Sequence, residues 1–133
     1  MVYATRQKVV LGEVFERAKH PLTAAEIRRE AKRKIPSLGM ATVYRAIKQF
    51  VSDGYIRAVK IPGVAPHYES SDRHHHHFFM CQKCRRLFDL LGCVRGLLSL
   101  APNGFRVRRH EIVLYGECAA CVSKSGSLKA GSA

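Results

Sequence analysis

No apolar run in the sequence approaches the roughly 18 residues that a membrane-spanning helix needs, and Val2-Tyr3-Ala4-Thr5-Arg6 opens no signal peptide. A cytoplasmic location with no membrane partner is therefore the expectation. Acidic residues are scarce: 10 Asp and Glu stand against 23 Lys and Arg, a formal net charge of +13. That imbalance predicts attraction to a polyanion, nucleic acid first among them, although a ribosomal or RNA-binding protein would satisfy it equally well. Neither H-E-x-x-H nor the H-x-E with P-C-x-x-C of nucleic-acid deaminases occurs. An enzyme built on zinc with an open coordination position and a general base is therefore not expected. Low-complexity tracts and internal repeats are also missing, and hydrophobic residues at 47% with charged residues at 25% are ordinary globular values. A chain of 133 residues has room for one domain or two very small ones.

Residues 1–60 read as helices followed by a ribbon. Val9, Val10, Val14 and Phe15 form an apolar stripe in an otherwise charged segment, and His20-Pro21 stops that helix. Thr23 with Glu26 three places later is a capping box, which predicts a second helix through Ile27 and Ala31 into Lys32-Arg33-Lys34. After Pro36-Ser37-Leu38-Gly39 a third helix runs to Ser52, with Val43, Ile47 and Phe50 or Val51 on one face. Tyr55 to Lys60 alternates as a strand does, and a Pro/Gly-rich loop leads to His67-Tyr68-Glu69. Three short helices and a two-stranded ribbon give the outline of a winged helix-turn-helix, with a helical bundle plus hairpin as the plainer alternative. Residues 1–62 carry 13 Lys and Arg against 5 acids and residues 63–133 carry 10 against 5, so the first half is the favoured nucleic-acid side. Farther on, Phe78-Phe79-Met80 and Leu87-Phe88 read as strands, Cys93 to Ala101 as a short helix, and Phe105 to Tyr115 as one long strand.

Four cysteines form two C-x-x-C pairs, Cys81/Cys84 and Cys118/Cys121, with 33 residues between. In a reducing compartment two such pairs are best satisfied by one tetrahedral zinc ion, which leaves no open position and makes the site structural. Two disulfides, or one redox-active pair, are the alternatives. Cys93 is left over, by default a half-buried thiol. His74-His75-His76-His77 leads directly into an apolar strand; if extended, alternate histidines face opposite sides and can serve two sites. Glu69, Asp89, His110 and His20 are the further candidate ligands for a second metal.

Taken together, Ala41-Thr42-Val43-Tyr44-Arg45, the run from Tyr68-Glu69 to His77, Cys81-x-x-Cys84 and His110-x-x-x-Leu114-Tyr115-Gly116-x-Cys118-x-x-Cys121 resemble the ferric uptake regulator family of metal-responsive repressors. The resemblance runs from about Thr5 to Cys121. It implies an α+β homodimer on double-stranded operator DNA: a winged-helix domain over residues 1–64, a small α/β metal-binding dimerisation domain with the four-cysteine zinc over 65–121, and a flexible tail over 122–133. It makes Ala41 to Phe50 the recognition helix, with Tyr44 and Arg45 as base or phosphate contacts, Thr42 and Lys48 beside them, and Thr5 and Lys8 at the basic start of the first helix. For the regulatory ion, a second divalent metal such as Fe²⁺, Zn²⁺ or Mn²⁺, it implies a hinge site of Glu69, His76 and Asp89, with His20 from the first domain. Phe78 stands where a further histidine is expected. The runner-up site is His75, His77 and His110. No acid lies between Leu90 and His110 to supply that site's usual glutamate; His77 or His74 is a possible substitute for the missing ligands, or Cys93 joins them, which would favour a softer ion. The expected function is metal-dependent repression of metal-homeostasis or peroxide-stress genes, with a zinc-ribbon nucleic-acid-binding protein lacking metal sensing as the alternative.

Overall fold

The computed structural model describes residues 5–73 and 76–125. The chain divides into two compact units, residues 1–74 and 75–133.

In the first unit, helix α1 spans Arg6–Arg17, a two-residue strand β1 Leu22–Thr23, α2 Ala24–Ala31 and α3 Met40–Ser52. Strands β2 (Ile56–Val59) and β3 (His67–Ser70) follow. Thr5 starts α1 by accepting from the Lys8 N–H. At α2 the capping box forms in full: Thr23 accepts from the Glu26 amide at 3.1 Å and donates its own N–H to Glu26 at 2.9 Å. Thr23→Ala should therefore lower the denaturant-measured stability of this unit by about 1 kcal/mol; an unchanged unfolding midpoint would remove the cap from the account. Helix α3 ends in a Schellman turn, with Tyr55 N–H donating to Phe50 and Gly54 N–H to Val51, and Gly54 at a φ of 75° that a glycine tolerates.

The core of this unit is the shared apolar face of the three helices: Leu11 and Phe15 from α1, Ile27 and Ala31 from α2, Leu38 from the connection, and Val43 and Ile47 from α3. Arg28 holds the connection by donating to the Leu38 carbonyl at 3.0 Å. The stripe read from the sequence is shifted in α1, where Val10, Leu11 and Phe15 are buried while Val9 is 48% exposed. β2 and β3 pair antiparallel as the wing, and β1 joins on the other side of β3 to give the order β1-β3-β2. Because β3 is the centre of this sheet, the first unit runs past the 64/65 boundary drawn from the sequence.

In the second unit β4 (His77–Cys81) is the central strand, antiparallel to β5 (Leu87–Leu90) and parallel to β6 (Val113–Gly116). Met80 of β4 and Leu87 of β5 are fully buried. Three sequence expectations are corrected here. The Cys93–Ala101 helix shrinks to one 3-10 turn, Leu97–Leu100, because Gly96 enters it at a φ of 77° outside the helical region. The long strand from Phe105 keeps only its apolar end in β6: the Ile112 carbonyl accepts from the Phe78 N–H, but residues 105–111 have no ladder partner among the described residues. Helix α4, Ala119–Ser125, carries regular structure through Val122 into the segment assigned to a flexible tail; residues 126–133 lie outside the described residues.

Candidate metal centres and nucleic-acid interface

The second unit brings its four paired cysteines to one point. Cys81 ends β4, Cys84 follows in the knuckle, Cys118 lies beyond β6, and Cys121 sits in α4. Arg85, at a φ of 66°, reverses the chain: its N–H donates to the Cys81 carbonyl at 2.9 Å, and the Cys81 N–H donates to Arg86 at 3.0 Å. The Sγ atoms of Cys81 and Cys121 are 3.7 Å apart and those of Cys84 and Cys118 3.9 Å. A tetrahedron with zinc–sulfur bonds of about 2.3 Å has sulfur–sulfur edges of about 3.8 Å, so these residues fit a zinc ion. Burial pushes the Cys81 thiol up, but the backbone N–H groups of Cys84, Cys118 and Lys83 outweigh it and bring the thiol down to about 6. Burial and the crowding thiols of Cys118, Cys81 and Cys84 push Cys121 up to about 12. Four sulfurs this close share little negative charge by themselves, whereas a coordinated dication deprotonates thiols outright.

A second group in the same unit joins His77, Cys93 and His110, whose ligand atoms all lie within 4.8 Å of one another. Cys93 Sγ is 3.0 Å from His77 Nε2 and 3.0 Å from His110 Nε2. His77 is 3% exposed, and its Nδ1 accepts from the Ile112 N–H at 3.2 Å. Of the runner-up set His77 and His110 are thus brought together; His75 lies outside the described residues. Cys93, by default a leftover half-buried thiol, is instead an exposed cysteine held between two imidazoles. The missing acid between Leu90 and His110 was the signal for it.

Of the hinge set, His76 and Asp89 pair within the second unit, His76 Nε2 lying 3.4 Å from Asp89 Oδ1 with both side chains nearly buried. Phe78 packs its ring edge-on to His76 at 4.8 Å between centroids, so it orients an imidazole in place of supplying one. Glu69 and His20 belong to the first unit. Glu69 accepts from Arg57 Nε at 2.9 Å across the β2–β3 pair, an ion pair that the sequence reading did not anticipate. The His20 ring lies 2.9 Å, through Nδ1, from the Pro21 carbonyl.

Helix α3 presents a polar face opposite its buried Val43, Ala46 and Ile47. Tyr44 is 55% exposed, Arg45 and Lys48 are exposed, and Arg45 donates to Thr42 Oγ1 at 3.1 Å, which fixes its stem on the helix surface. Lys8 is half-buried in the first turn of α1, while Thr5 is the cap of that helix.

Residues 2–115 match the model of the ferric uptake regulator family. The chain belongs to this family. It is 27% identical over 114 residues to the ferric uptake regulation protein of Shigella flexneri, a match covering 83% of this chain and 76% of that one. It is 25% identical over 126 residues to the peroxide operon regulator of Bacillus subtilis, covering 90% and 83%. Its fold superposes on the ferric uptake regulator of Francisella tularensis, solved with iron, at a TM-score of 0.72 and 25% identity, covering 90% of this chain and 94% of that one. As a member of this family the protein is a metal-responsive transcriptional regulator and not an enzyme. Its family implies operator DNA as partner and a dimer as the working form. Among the described residues no helix is long and apolar enough to cross a membrane.

Proposed function

We propose that the protein is a cytoplasmic, homodimeric repressor of metal-homeostasis or peroxide-stress genes that grips double-stranded operator DNA when its regulatory ion is bound. One observation carries the reading: a basic first unit with an outward-facing Thr42, Tyr44, Arg45 and Lys48 is joined to a second unit holding separate clusters of metal-ligating side chains. Cys81, Cys84, Cys118 and Cys121 are assigned to structural zinc. Glu69, His76 and Asp89, with His20, are assigned to the regulatory ion, supported by the buried His76–Asp89 pair. When bound, that ion supplies positive charge and fixed ligand directions; Glu69 and His76 then hold their segments in one arrangement. Any arrangement that both ion and DNA prefer is strengthened by each in turn, and the two affinities must rise together.

The dimer reading rests on the second unit. Leu91, Leu98, Leu100 and Phe105 are well exposed there, and β6 is an edge strand with Leu114 and Tyr115 half-exposed. Phe105 and Val107 set a strand's alternation, yet no strand among the described residues pairs with residues 105–111. A second copy would cover both. The competing reading, a zinc ribbon without metal sensing, leaves the histidine-containing clusters without a purpose.

Contacts to DNA should separate by type. Arg45→Ala should weaken binding to the preferred duplex by about 1–3 kcal/mol and relax preference at one base position. Charge removal at Lys32-Arg33-Lys34 should weaken all sequences alike and flatten the salt dependence. Fluorescence anisotropy on a duplex enriched from a randomised pool measures both. Unchanged affinity in both Arg45→Ala and Tyr44→Ala would show that α3 is not the reading helix.

A further inference from the structure

The cluster of His77, Cys93 and His110 differs chemically from the hinge pair, because its anionic donor is a sulfur. Its members come from three separate stretches of chain: β4, the loop after β5, and the segment before β6. No carboxylate is available from Leu90 to His110 to replace that sulfur. We propose that these three residues form a mixed imidazole–thiolate site that takes a thiophilic divalent ion of the zinc class and discriminates against manganese. The inference rests on the metal-responsive reading above and names the ion class of one of its sites.

The ligand atoms already lie near coordination spacing, and binding adds a change of tautomer at His77. Tetrahedral zinc with bonds of about 2.3 Å to sulfur and 2.0–2.1 Å to nitrogen places those ligand atoms about 3.5 Å apart. The two sulfur–nitrogen distances of 3.0 Å need only open by a few tenths of an ångström. The Ile112 N–H donates to His77 Nδ1, so Nε2 carries the proton of the neutral ring and donates it toward Cys93 Sγ. Coordination through Nε2 moves that proton to Nδ1 by exchange with solvent, and the Ile112 N–H must then turn from the ring. The Cys93 thiol proton leaves to water as the sulfur–metal bond forms. Cys93 is exposed, so an ion in solution reaches it directly, and three protein donors leave a position open, unlike the closed four-cysteine centre. Thiolate and imidazole together suit zinc, cobalt and copper, whereas manganese and magnesium prefer oxygen.

Cobalt(II) is the probe. Added to full-length protein carrying one zinc per chain, it should give a near-ultraviolet sulfur-to-cobalt charge-transfer band at one equivalent. Stoichiometric zinc should erase the band, and a hundredfold excess of manganese should leave it. Cys93→Ser should lose the band and weaken cobalt binding on the order of 10–100-fold, at least what loss of an outer-shell partner costs a metal site. Because Cys93 is exposed, this variant should keep its fold and its tightly held zinc. His110→Ala should weaken cobalt while leaving the Cys93 thiol to react with alkylating reagents that bound cobalt excludes in the parent protein. A band that survives Cys93→Ser would place the cobalt on the four-cysteine centre and overturn the proposal, as would displacement by manganese at zinc-like concentrations. DNA binding is not part of this readout: a band that behaves as expected in a protein indifferent to metal on DNA would retain the site and discard the regulatory reading.

Discussion

Cys81→Ser should release the tightly held zinc and unfold the second unit, leaving the winged-helix unit folded. The size of the effect follows from where the ligand sits. Cys81 Sγ is fully buried at the end of the central strand, accepts from the amides of Cys84 and Cys118, and faces Cys121 across 3.7 Å. It therefore ties β4 to the knuckle, to the turn after β6 and to α4 together. A structural zinc contributes apparent binding energy on the order of 10 kcal/mol that is also folding energy, as much as the net stability of a typical domain, about 5–15 kcal/mol. The apolar sheet beneath the site, centred on Met80 and Leu87, is too small to stand without it. Elemental analysis should find one metal fewer per chain, and dimers should be lost with the surface that forms them. Retention of a tight zinc and a normal dimer would sink the four-cysteine assignment.

His76→Ala should fail in the opposite way: the zinc and the dimer remain, and metal no longer improves DNA binding. The His76 side chain is 5% exposed and meets a carboxylate, Asp89, that is 8% exposed. Phe78 holds the imidazole from the side, so the ring is already directed before any ion arrives. Couplings between linked sites are commonly 1–3 kcal/mol, and losing this one should erase a rise of about 5–150-fold in operator affinity. Affinity without added metal should match that of the parent protein. If His76→Ala still responded fully while His110→Ala did not, the regulatory role would pass to the imidazole–thiolate site.

How much of this was legible in the sequence depended on the range of the contact that decided each feature. The Thr23–Glu26 box, the face of Val43 and Ile47 in α3 and the two cysteine pairs are local patterns, and they fold as their spacing says. Val9 misled because it is apolar and adjacent to Val10; the helix turns Leu11 inward instead, a choice made by the α2 face that it meets. β1 is two residues long and exists only through its pairing with β3, which no local pattern announces. The stretch from Phe105 alternates as a strand does, yet a strand needs a partner, and its sequence cannot say whether that partner lies in the same chain. Cys93 was the least legible: only the folded second unit brings it between His77 and His110, residues 16 and 17 positions away. Its chemistry was nevertheless foreshadowed by the acid-free stretch around it.

The most direct test of the account is the DNA affinity of one protein sample measured with and without its regulatory ion. Protein stripped to its single tight zinc per chain is titrated onto a duplex enriched from a randomised pool, first with a mild chelator and then with iron(II), zinc(II) or manganese(II). At least one of these ions should raise affinity about 5–150-fold, with the protein bound as a dimer. Equal affinity in the presence and absence of every ion would contradict it and leave a zinc-stabilised nucleic-acid-binding protein in its place.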